Sequence, residues 1–167
     1  MNKGLYVVMG VAGSGKSLIG SALALALGVE FLEGDDFHTA QSIEKMSAGI
    51  PLTDDDRAGW LHTLALRLRT AAETGNGVVI ACSALKRSYR DILRAAAPDA
   101  HFIFLDGPRD LIARRLADRG GHFMRASMLD SQFATLEEPA PDENAWVCDV
   151  RSASQEIVRD LVARASL

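Results

Sequence analysis

Eight consecutive residues, Gly10-Val11-Ala12-Gly13-Ser14-Gly15-Lys16-Ser17, carry the spacing G-x-x-x-x-G-K-[ST]. Their chemistry suits the holding of a compact polyanion. Glycines let successive backbone N–H groups turn inward where a Cβ would clash. A helix beginning near Lys16 aims its free N–H groups and its dipole at the same point. Gly10, Ala12, Gly13, Ser14 and Gly15 are therefore the expected cradle for a nucleoside triphosphate. Lys16 is expected to reach its β- and γ-phosphates, and the Ser17 hydroxyl to take Mg²⁺. Switches, transporters and motor ATPases use the same loop, so the motif specifies the ligand and not the reaction.

Other chemistry-bearing residues fall after apolar runs, where a parallel sheet would place them on the rim that holds the phosphate loop. Asp35 and Asp36 follow Gly34, with His38 close behind. A carboxylate there can orient an acceptor hydroxyl and take its proton, or support Mg²⁺ through water. A solvated Gly-Asp turn would use the same residues. Arg57 follows the acidic run Asp54-Asp55-Asp56, and its planar guanidinium matches a carboxylate with two hydrogen bonds. Lys86, Arg87 and Arg90 follow Cys82-Ser83-Ala84-Leu85. They suit either an anionic acceptor or a solvated helix face. Arg114, Arg115, Arg119 and Arg125 surround Gly120-Gly121-His122-Phe123. This basic, hinge-capable stretch is the expected lid, closing over the reaction and excluding water. Arg114 and Arg115 are adjacent on a helix and diverge, so Arg119 and Arg125 are the expected lid charges.

The elements that must position these groups are legible from apolar periodicity and glycine breaks. Strands are expected at 5–9, 29–32, 78–82, 101–105 and 145–150. Helices are expected at 16–27, 38–49, from the acidic run 54–56 to Gly75, and at 84–97, 108–119, 127–136 and 152–165. Alternating strands and helices predict an α/β fold with a mainly parallel sheet. A length of 167 residues suits one domain over 1–167, with the lid at about 120–141. The net charge of −4 gives no footprint for nucleic acid. No apolar run approaches the roughly 20 residues that span a bilayer, so neither nucleic acid nor membrane is an expected partner. The N-terminus lacks a signal-peptide pattern, and Cys82 and Cys148 lie in apolar runs. Both features predict a cytoplasmic protein with buried, reduced thiols.

Seven segments carry a resemblance across residues 10–139. GVAGSGKS, GDDFH, IEKMSAGIPLTDDDR, WL, CSALKRSYRD, RLADRGGHFM and SQFATLEEP follow one another in the order of the bacterial-type gluconate kinases. The chain resembles that family of P-loop small-molecule kinases. The resemblance implies a five-stranded parallel sheet flanked by helices, with a mobile lid. It implies ATP and Mg²⁺, and phosphorylation of D-gluconate to 6-phospho-D-gluconate by a protein that is often a homodimer. Asp35 matches the acid of the family's GD-x-x-H segment. His38, Arg57, Lys86 and Arg90 match positions near the acceptor, and Arg119 and His122 match the lid. On this reading the γ-phosphoryl group passes in line to the C6 hydroxyl. Lys16, Asp35 and Arg119 are then the catalytic residues, with Arg119 also on the nucleotide. Two positions depart from the family pattern: Gly59 stands where proline is frequent, and Ser42 where asparagine is. The alternatives are a kinase of shikimate or a related aldonate, a nucleoside monophosphate kinase, and a nucleotide-dependent regulator. CSALK stands where a shikimate kinase has its glycine-rich segment.

Overall fold

The computed structural model describes residues 3–118 and 126–167. Five strands pair side by side, all parallel: β1 (Leu5–Met9), β2 (Glu30–Glu33), β3 (Val78–Ala81), β4 (His101–Asp106) and β5 (Trp146–Asp149). Their spatial order is β2-β3-β1-β4-β5. The register sets Val7 beside Ile80 on one side and Phe102 on the other. Every residue of β1 and β3 is buried, because helices cover both faces of the sheet.

Alternation along β1 shows the two faces. Val7 and Met9 point into a core with Trp60, Leu64, Leu68, Ile80 and Phe102. Tyr6 and Val8 point into the opposite core with Ile19, Leu23, Ile103, Ile112 and Ile157. The first core is roofed by α3 (Asp54–Thr74) and α4 (Arg87–Ala96), the second by α1 (Lys16–Leu27), α5 (Arg109–Asp118) and α7 (Ser154–Ala165). The chain leaves β1 toward one edge for β2 and β3, then crosses to the other for β4 and β5. A crevice therefore opens beyond the carboxyl end of β1.

Local sequence accounts for the helix starts. Thr53 and Asp56 close a reciprocal capping box, each side chain bonded to the other residue's backbone N–H. Trp60, Leu64 and Leu68 form the buried stripe of α3, as their spacing predicts. The helix expected at 38–49 is shorter, α2 (Ala40–Ser47), because Thr39 caps it by accepting from the Ser42 N–H. Ser42 is buried beneath that cap. Gly59 lies within the second turn of α3, with open space where a side chain would be. The helix expected from residue 84 begins at Arg87. Ala84 has a left-handed φ of 44°, so 83–86 form a turn at the carboxyl end of β3. The last helix begins at Ser154, two residues later than expected, leaving a turn after β5. Cys82 is buried and Cys148 half-buried, and both are free thiols.

The expected lid divides in two. Arg119, His122 and Arg125 lie outside the described residues. Beyond them comes α6 (Ala126–Thr135), and then a stretch fastened to the body. The Glu137 N–H donates to the Leu85 carbonyl at 2.7 Å, and a short 3₁₀ turn at Pro141–Glu143 is tied to α4 through Glu143. Residues 137–141 therefore belong to the fixed wall. Among the described residues no helix is long and apolar enough to cross a membrane.

Candidate active site

The loop between β1 and α1 is shaped by what its glycines omit. Gly13 sits at φ 79°, and a Cβ there would lie 2.6 Å from Leu116 Cγ on α5. Only a bare backbone lets α5 pack this close. Lys16 Nζ donates to the Val11 carbonyl at 3.0 Å, folding the ammonium back over the loop. The Ser14 hydroxyl is buried beneath the loop without a hydrogen-bond partner among the described residues. The Ser17 hydroxyl donates to Glu33 Oε2 at the carboxyl end of β2.

Directly after Glu33 the chain passes close over β3. A Cβ on Gly34 would fall on the Ala81 carbonyl oxygen. The 3₁₀ turn Gly34–Phe37 follows and carries Asp35 to the rim. Trp60 fixes this turn by donating its indole N–H to the Gly34 carbonyl at 2.7 Å. The His38 ring stacks on Trp60, centroids 4.1 Å apart and planes 19° apart. His38 Nε2 lies 3.6 Å from Asp35 Oδ1. Burial by the cleft walls pushes the Asp35 carboxyl up. The neighbouring His38 ring and the Lys16 ammonium outweigh that and leave it below the usual carboxylate value. Asp35 is thus held as an anion, open to the cleft.

Arg57 donates from Nη1 to the Leu52 carbonyl at 2.6 Å and to the Tyr89 hydroxyl at 3.3 Å. Its guanidinium lies 5.5 Å from the Tyr89 ring centroid. Tyr89 in turn donates to Asp54, which also takes Lys86 Nζ at 3.1 Å. These two partners hold the Asp54 carboxyl below its ordinary value.

A cavity of about 1040 Å³ joins these parts. Ala12, Gly13, Ser14, Gly15, Lys16 and Ser17 form its floor, and Asp35, His38 and Arg57 stand across from them. The structure therefore brings together most of the residues expected from sequence. Gly10 is buried and does not line the cavity. Lys86 stays at the outer edge, paired with Asp54, and does not line the cavity. Arg90 corrects the expectation of an acceptor contact. Its side chain is 0% exposed. Its guanidinium is filled by Glu143 (2.7 and 3.0 Å) and by the carbonyls of Ala84 and Leu85 (2.8 and 3.2 Å). Four of the five N–H donors of that fork are taken, and Arg90 does not line the cavity. Arg119 and His122 lie outside the described residues.

The cavity also contains residues that the sequence reading passed over. Glu33 is one, and its position one residue before Gly34-Asp35 was the available signal. Arg115 is another. Only one of the adjacent pair Arg114 and Arg115 faces the cleft, as helical geometry requires, and it is Arg115. Met128, Ser131, Gln132 and Thr135 repeat at the spacing of one helix face and line the cavity from α6. The turn 151–154 closes the side beyond β5. Among the described residues no cluster of three or more His, Cys, Asp or Glu could hold a metal ion.

A five-stranded parallel sheet with this loop at its central strand and an acidic turn at the neighbouring rim defines a P-loop kinase fold. The family model described as an AAA domain matches residues 5–139. The thermosensitive gluconokinase of Escherichia coli K12 is 50% identical over 141 residues, covering 83% of this chain and 74% of the relative. The thermoresistant gluconokinase of the same organism is 44% identical over 159 residues, covering 95% and 91%. The crystal structure of a gluconokinase from Sinorhizobium meliloti 1021 superposes with a TM-score of 0.89 at 48% identity, covering 98% of this chain and 91% of that one. The chain belongs to the gluconokinase family.

Proposed function

We propose that this chain transfers the γ-phosphoryl group of ATP in line to the C6 hydroxyl of D-gluconate, giving 6-phospho-D-gluconate and ADP. The observation that carries the reading is the single cleft in which the anionic Asp35, with His38 and Arg57, faces Lys16 and Ser17. Phosphoryl transfer asks little covalent chemistry of the protein and depends on positioning and charge. The loop N–H groups and Lys16 hold the β- and γ-phosphates. Asp35 orients the acceptor hydroxyl and accepts its proton as the bond to phosphorus forms. Arg57 is suited to the gluconate carboxylate, with His38 beside it for a hydroxyl. Arg115 and the turn 151–154 flank the far side of the loop, where base and ribose would lie. Arg119 and His122 keep their assignment to the lid on the resemblance alone.

The residues fit a magnesium ion. Ser17 and Glu33 offer a hydroxyl and a carboxylate, both hard oxygen donors, already in contact beside the phosphate loop. Mg²⁺ is commonly held by one or two such groups, with water and phosphate oxygens completing its shell. When bound, it would neutralise phosphate charge. A single domain over 1–167 is supported by the sheet, which takes β1 from the beginning of the chain and β5 from near its end. Two free thiols fit a reducing, cytoplasmic setting. The homodimer rests on the resemblance, and sedimentation tests it.

The decisive experiment is ADP release with ATP, Mg²⁺ and a panel of gluconate, related aldonates, shikimate and AMP. Turnover with gluconate well above the others is the expected result. Preference for another acceptor would overturn the substrate while keeping the kinase. Nucleotide binding without turnover on any of them would favour a regulator.

A further inference from the structure

Gln132 touches the phosphate loop through a long-range contact. Its side-chain Oε1 accepts from the Ala12 N–H at 2.7 Å, reaching from α6 across 120 positions of sequence. That bond fixes the orientation of the carboxamide. A backbone N–H is a donor and must meet the oxygen, so the Nε2 hydrogens point the other way. Gln132 lines the cavity, and no described group accepts from its Nε2. The peptide that Gln132 grips is the one Lys16 grips from its other end. Val11 supplies the carbonyl that takes Lys16 Nζ, and Ala12 supplies the N–H that meets Gln132. The ammonium and the carboxamide therefore stand within about 8 Å of each other across one planar unit. Both also line the cavity floored by the phosphate loop, so a phosphoryl group seated over that peptide lies beside both.

We infer that Gln132 donates from Nε2 to the transferring γ-phosphoryl group, while its Oε1 keeps the amide aimed by holding Ala12. This rests on the kinase reading of the cleft and assigns a further phosphoryl-binding residue to it. A neutral donor suits the place. It stabilises charge spreading over the equatorial oxygens without adding a cation that would trap ADP and phosphorylated product. It also links α6, which follows the expected lid, to the loop that senses nucleotide.

Three proteins test the assignment: wild type, Q132E and Q132A. Glutamate keeps an oxygen for Ala12 but has no donors. Alanine removes both. Turnover is measured on whichever acceptor the wild type phosphorylates best, with affinities for ADP and for a non-hydrolysable ATP analogue measured separately. The expected result is a loss in kcat of about 100-fold in both variants, with ADP affinity and thermal midpoint within a few-fold and a few degrees of wild type. The ATP analogue should lose its advantage over ADP. A Q132E enzyme within threefold of wild-type kcat would overturn the proposal and leave Gln132 as a tether for Ala12. So would equal weakening of ADP and the ATP analogue in Q132A, which would report a loosened loop. A wild type that ignores gluconate but phosphorylates another acceptor would remove the substrate assignment and leave this test intact.

Discussion

Trp60 donates its indole N–H to the Gly34 carbonyl at 2.7 Å, so the buried face of α3 sets the position of the acidic turn at the end of β2. The same ring carries His38 on its face. Replacing Trp60 by Phe keeps an aromatic surface for His38 and removes the hydrogen bond. The Gly34–Phe37 turn then loses its anchor, and Asp35 its fixed distance from the phosphate loop. Steady-state kinetics should show kcat for gluconate lowered about 10-fold, with the KM for ATP within twofold, because the loop itself is untouched. Equal losses on both substrates would mean that Trp60 supports the whole core and does not position the turn.

Asp35 and His38 lead to a pH prediction. Burial raises the Asp35 carboxyl, and His38 and then Lys16 bring it below its ordinary value. Activity that needs the ionised carboxylate should therefore persist to unusually low pH. Substituting His38 by Ala removes the first of the lowering influences, so the Asp35 pKa rises. The acid limb of kcat/KM should move to higher pH, and turnover should fail sooner as the medium is acidified. Asp35→Asn should lower kcat by at least about 100-fold at neutral pH and abolish the acid limb that Asp35 sets. An acid limb unmoved in His38→Ala would break the proposed coupling between the two residues.

Sequence alone revealed the elements whose signals are local. The phosphate loop, the Trp60-Leu64-Leu68 stripe and the five apolar runs need only neighbours along the chain to be read. The site was legible as far as it is built from strand ends: Lys16, Ser17, Asp35 and His38 converge because a parallel sheet gathers its carboxyl ends, and Arg57 joins them from the first turn of α3. Arg90 shows where that logic stops. It follows β3 as Lys86 and Arg87 do, but helix α4 turns it inward onto Glu143, which lies 53 positions later. A basic cluster does not disclose which member will find a buried acid. Gln132 and Glu33 escaped for a related reason, since their partners Ala12 and Ser17 are reached only through tertiary contact.

The Arg90–Glu143 pair makes its own prediction. Glu143 is 1% exposed and holds both Arg90 and Arg94. Burial raises its carboxyl, but the two guanidinium groups and the Ala140 N–H bring it from 4.5 to about 2. A carboxylate depressed on folding adds stability above its unfolded pKa, and that stability is lost as pH falls through the folded value. The Glu143 contribution should therefore be complete above about pH 4.5 and disappear toward pH 2. Urea unfolding should show Glu143→Gln flattening the pH dependence in that window. Arg90→Ala leaves Glu143 with Arg94 and the Ala140 N–H and frees the carbonyls of Ala84 and Leu85, so it should cost about 3 kcal/mol at neutral pH. An unchanged unfolding midpoint in Arg90→Ala would return Arg90 to the list of acceptor ligands.

Glu33 meets Ser17 at the point where the phosphate loop adjoins β2, and this contact predicts how the enzyme should respond to magnesium. If the two oxygens hold the ion, directly or through water, then Glu33→Gln keeps the size of the side chain and removes its charge. The Mg²⁺ concentration for half-maximal turnover should rise by about 10- to 100-fold, and kcat should recover at saturating metal. Binding of ADP in the presence of a chelator should be unaffected, because the loop N–H groups and Lys16 do not depend on Glu33. An alternative is that Glu33 only orients the Ser17 hydroxyl. In that case Glu33→Gln, whose carboxamide oxygen can still accept the bond, would show the wild-type magnesium curve. Titrating Mg²⁺ at fixed ATP separates the two roles, since only a charged ligand shifts the midpoint while leaving the plateau in place.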